Sequence, residues 1–146
     1  MASRISYRDQ FFYVSNQRFN LLIDFALQIA TRSATSDVEQ QFASTLNAKT
    51  PNFYPGYDFA IEDEFPSRDE RKFWARIFFD LSHLIFTRAI ANQDVSFWQA
   101  SACGDAYLLG RILTRSVQEE ELGWHPKTIA SLEADAFHQK GTNVRL

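Results

Sequence analysis

The stretch opened by Ser67 constrains this chain more than any other feature. Ser67 and Glu70 form a capping box, in which the hydroxyl accepts from an early backbone N–H, and Asp69 adds negative charge to the positive end of the helix dipole. Trp74, Ile77, Phe78, Leu81, Leu84 and Ile85 then recur at intervals of three and four, and Phe73 and Phe86 widen the stripe. A helix from Ser67 to about Asn92 with so broad an apolar face must be covered by other elements. The remainder of the chain has ample material for this, because 45% of its 146 residues are hydrophobic and 14 are Phe.

Other stretches read as helical by the same argument. Ser6 and Asp9 resemble a helix start, and Phe12, Phe19, Leu22, Ala26 and Ile29 fall on one stripe, predicting a helix that reaches Thr31. Ser36 and Glu39 make a second capping box ahead of Val38, Phe42 and Leu46, predicting a short helix that ends near Ala48. Small or apolar residues at Val95, Trp98, Ala102, Ala106, Leu109, Leu113 and Val117 keep one phase through Gly104. One helix from about Val95 to Glu119 is therefore expected, with Gly110 allowing close packing. Pro126 suits a first helical position, and Ile129, Leu132 and Phe137 carry a last stripe as far as Gly141. The expected fold is all-α, a single domain over residues 1–146 built as a bundle of about five helices.

Residues 50–66 break the helical pattern. Pro51, Pro55, Gly56 and Pro66 prevent a continuous helix, but Phe53, Tyr54, Tyr57, Phe59, Ile61 and Phe65 are too apolar for a solvated linker. An ordered aromatic loop results, and Asp58, Glu62, Asp63 and Glu64 make it the most acidic part of the chain. Glu119, Glu120 and Glu121 place three further acids at a helix C-terminus, where the dipole disfavours them, so something is expected to offset that cost. Together with Trp124 as an aromatic anchor, these two acidic stretches are the candidate partner-binding residues.

Charge and cysteine content exclude several classes of function. A net charge of −3, with no run of three or more Lys or Arg, gives no general attraction to phosphate backbones and argues against nucleic acid as a partner. The most apolar window, Leu21 to Ala30, is interrupted by Asp24 and flanked by Arg18 and Arg32, so no membrane span is expected. No secretory leader is visible, and Cys103 is the only cysteine, which rules out an intrachain disulfide and fits a cytoplasmic protein. Cys103 itself, among Ala100, Ala102 and Ala106, reads as an inert thiol. Asp24, if buried, needs Arg88 or Arg111 as a partner.

Neither a phosphate-binding glycine loop, a nucleophile elbow nor a dinucleotide fingerprint occurs, and no cofactor is implied. Asp80 with His83, and Asp135 with His138, each place a carboxylate one turn from an imidazole. Metal-binding bundles use Glu in that role, and the shorter Asp leaves a helix-stabilising contact as the preferred reading, with no metal site expected. Arg76 and His83 lie two turns apart on one face. Their spacing resembles the Arg and His pair of the HEPN ribonucleases, a helical family whose resemblance implies metal-independent RNA cleavage by these two residues. Small, acidic, helical chains without enzyme motifs are common among bacterial immunity proteins, which neutralise a toxin by offering acid to a basic surface. The sequence thus leads to a protein-binding domain without catalysis, an immunity protein with a basic toxin domain as partner. A HEPN-like ribonuclease and a helical adaptor or scaffold are the alternatives.

Overall fold

A computed structural model describes residues 2–92 and 97–123. The chain opens with a β-hairpin, β1 (Ala2–Tyr7) and β2 (Gln10–Ser15), followed by α1 (Asn16–Ser33) and α2 (Asp37–Lys49). A single 3-10 turn (Thr50–Asn52) leads to β3 (Asp58–Ala60) and the one-turn helix α3 (Ile61–Glu64). Two long helices, α4 (Arg68–Asn92) and α5 (Phe97–Glu121), complete the described part.

The all-α expectation is therefore corrected to an α+β fold with a three-stranded mixed sheet in the order β2-β1-β3. The error lies in the first helix. Residues 10–15 read Gln-Phe-Phe-Tyr-Val-Ser, aromatic and β-branched side chains that crowd a helix and fit a pleated strand. Arg8 turns the chain at φ 57°, and β1 and β2 pair antiparallel with Ile5 opposite Phe12. The true cap of α1 is Ser15, whose hydroxyl accepts from the Arg18 N–H at 3.2 Å, instead of Ser6. The stripe then holds from Phe19 onward, with Phe19, Leu22, Ile23, Ala26 and Ala30 buried.

Residues 50–66 are ordered, but they hold elements in place of a simple loop. β3 runs parallel to β1, with Ile5 beside Phe59, so Phe12, Ile5 and Phe59 form one apolar row across the sheet. This row faces the helices, making a two-layer arrangement in which one sheet face and the helical stripes close a common core. Phe59 meets Phe19, Phe53 and Phe65 edge-on, and Phe65 stacks on the buried Trp74 at 5.5 Å.

Three helices follow the sequence closely. Ser36 caps α2 and Ser67 caps α4, each hydroxyl accepting at 3.1 Å from the N–H three residues on. α5 runs through Gly104 unbroken and packs along α4. At Gly110 a Cβ would come within 2.9 Å of the Phe79 ring, so only glycine lets the two helices approach as they do. The expected final helix, and Trp124 with it, lies outside the described residues. Among the described residues, no helix is long and apolar enough to cross a membrane.

Candidate partner-binding surface

The two acidic stretches meet at one end of the molecule because α4 begins where α5 ends. Arg8, in the hairpin turn, joins them: its backbone N–H donates to Glu62 at 2.7 Å and its guanidinium pairs with Glu119 at 2.9 Å. Glu119 also accepts from the Tyr7 hydroxyl at 2.6 Å and from Arg115 at 3.1 Å. Glu120 pairs with the guanidinium of Arg71, a fully buried side chain that donates as well to the carbonyls of Phe65 and Pro66 at 3.1 Å. Glu121 reaches Arg68 at 3.8 Å. The cost of three acids at a helix C-terminus is thus offset by arginines from the hairpin and from α4.

Within residues 58–64, Glu62 and Glu64 are drawn inward in the same way, while Asp58 and Asp63 stay exposed. Glu64 is buried, accepts from the Tyr57 hydroxyl and lies 3.5 Å from Lys49. Asp58 sits on β3 and takes a two-pronged pair from Arg4, at 3.2 and 2.5 Å, which holds its carboxyl below the usual range. Burial pushes the Glu62 carboxyl up, against the pull of the Arg8 N–H. Burial also raises the Tyr7 and Tyr57 hydroxyls, and their carboxylate partners raise them further. Of the candidate acids, Asp58, Asp63 and Glu121 are exposed; Asp58 is closely paired with Arg4, whereas Asp63 and the more loosely held Glu121 turn negative charge to solvent.

The other sequence candidates are spread over the helices. Arg76 and His83 are both exposed on α4, with the Arg76 guanidinium 3.3 Å from Glu39 and 5.3 Å from the centre of the Phe73 ring. Asp24 is exposed and has no burial to offset. The ion pair between α1 and α5 is formed by Arg18 and Asp105, at 2.7 Å. Cys103 is half-buried, its thiol 3.4 Å from the Ser82 carbonyl. Among the described residues no cluster of three His, Cys, Asp or Glu side chains could hold a metal ion.

Sequence reasoning missed the outer face of the sheet. The register that turns Phe12 and Val14 inward turns Phe11 and Tyr13 outward, and they stand 54% and 61% exposed. Their rings meet edge-on at 5.5 Å, and the Arg4 guanidinium lies 5.4 Å from the Phe11 centroid. Tyr13, Arg4 and Asp58 form a row across the three strands, so aromatic surface, cation and acid adjoin. Between the hairpin and α5 runs an open groove of about 860 Å³ lined by Phe12, Phe79, Tyr107, Ile112 and Arg111 among others. The signal in the sequence was the uncharged run from Gln10 to Ser15, which the helical spacing of Phe12 and Phe19 concealed. No family model, curated protein or solved structure matches this chain.

Proposed function

We propose that this chain is a protein-binding domain without catalysis, a cytoplasmic antidote of the immunity-protein kind that neutralises a basic toxin domain. The observation that carries this reading is the exposed pair Phe11 and Tyr13 beside Arg4 and Asp58 on the outer sheet face. Exposed aromatic rings held on a strand lose little conformational freedom on binding and supply the anchors that dominate interface energies. Most of the acids first suspected serve inside the fold, so the binding role passes to these rings, with the exposed Asp63 and Glu121 steering a basic partner from a distance.

The test is co-expression with the product of the adjacent reading frame, followed by calorimetric titration and a toxicity assay. Phe11→Ser with Tyr13→Ser should weaken binding at least tenfold, and Asp63→Lys with Glu121→Lys should slow association in a salt-dependent way. Unchanged affinity and rate in both double variants would sink the proposal. The ribonuclease alternative keeps one supporting observation, the exposure of both Arg76 and His83 on α4. It requires metal-independent RNA cleavage that His83→Ala abolishes.

A further inference from the structure

The backbone of β2 is open on one side. Arg4 donates its N–H to the Tyr57 carbonyl at 2.9 Å, on the β3 side of β1, so Arg4 and the Tyr13 opposite it form a non-hydrogen-bonded pair. The N–H and C=O of Tyr13 therefore point away from β1, and by alternation so do those of Phe11 and Ser15. Among the described residues no strand lies on that side.

Soluble proteins blunt such an edge with charge, proline, a bulge or extreme shortness. β2 has none of these: it is six residues long, pairs residue for residue with β1, and contains no charged side chain and no proline. We propose that β2 is the contact surface of a homodimer, in which it pairs antiparallel with β2 of a second copy to give a continuous six-stranded sheet.

Two features select a second copy as the occupant. A strand without charge can meet itself about a two-fold axis with no like charges opposed, which a charged edge could not do. The pairing centred on Tyr13, the middle one of the outward-turned residues, also matches sizes: Phe11 of each copy faces Ser15 of the other, and only the Tyr13 rings meet at the axis. The join uses backbone groups and leaves the outer rings on the sheet face, so the dimer doubles the aromatic surface and stands or falls independently of the toxin-binding reading.

Sedimentation equilibrium of the full chain tests this. The expected result is the mass of two chains for the native protein and of one chain for Tyr13→Pro. This proline removes only the outward N–H and spares the pairing with β1. Phe11→Ser with Tyr13→Ser, which keeps every backbone group, should remain able to dimerise while losing the partner, so the two proposals fail separately. If Tyr13→Pro does not fold, Tyr13→Arg serves instead: like charges at the axis should raise the dimer dissociation constant about tenfold or more. A native protein of single-chain mass throughout the concentration range overturns the proposal, as does a dimer that both Tyr13 variants leave unchanged.

Discussion

The acidic end and the outer edge of the sheet differ in one respect: the first pairs most of its charges within the fold, and the second turns unpaired backbone groups outward. Around Arg8 and Arg71, charges from four parts of the chain meet within hydrogen-bonding distance, and a guanidinium is buried to make this possible. At β2 there is no charge to satisfy, yet aromatic rings and a row of backbone groups face outward. In this protein most of the charged groups hold elements together, and the uncharged stretch is the surface proposed above for a partner. A sequence scan that equates acid with interface inverts that division.

The most severe way to break the comparison is Arg71→Ala. It leaves the carbonyls of Phe65 and Pro66 without their donor and strands Glu120 beside a cavity. Removing one member of a buried ion pair costs about 3–5 kcal/mol, readable as a lower urea midpoint with little change in slope. If the loss were below about 1 kcal/mol, the acidic end would not be a fold-holding device. Tyr57→Phe is milder, because Lys49 still faces Glu64. A loss of about 1–2 kcal/mol is expected from the missing hydroxyl donor, measured in the same denaturation experiment.

How much of this was legible in the sequence follows from the range of the forces concerned. α2 and α4 announce themselves because a capping hydroxyl and its target N–H are three residues apart, a distance that a sequence scan covers. α5 through Gly104 was legible for a related reason, since a single phase of small and apolar residues spans the glycine. The hairpin was not, because Ser3 takes an inward, fully buried place on β1 and disguises the strand alternation, while Phe12 falls by coincidence in helical phase with Phe19. β3 has three residues, and its partner lies more than fifty positions away, so only tertiary packing makes it a strand. The candidate acids were recognisable as a group, but their answering arginines were not, because Arg8 meets Glu119 only once the hairpin packs against α5, and Arg71 meets Glu120 only once α4 and α5 lie side by side.

A pH titration sharpens the contrast from the alkaline side. Tyr7 and Tyr57 have hydroxyls raised above the ordinary value of about 10, so above that pH the unfolded chain gives up protons that the folded chain keeps. The folded state then binds more protons, and its stability falls as pH rises. The melting temperature should begin to drop past about pH 10, and the drop should be shallower in Tyr7→Phe with Tyr57→Phe.

The smallest expected effect on stability is also the most informative about function. Phe11 and Tyr13 touch little of the core, and replacing both with Ser should change stability by less than about 1 kcal/mol, chiefly through lower strand propensity. Natural selection for stability alone gives no reason to keep two large rings in water at a sheet edge, where they invite aggregation. Contact with another molecule, as proposed above, would account for them. A double variant that melts within a few degrees of the native protein but no longer binds its partner would locate function on this face. One that loses several kcal/mol would show that the rings belong to the fold after all, and the comparison between the two regions would collapse.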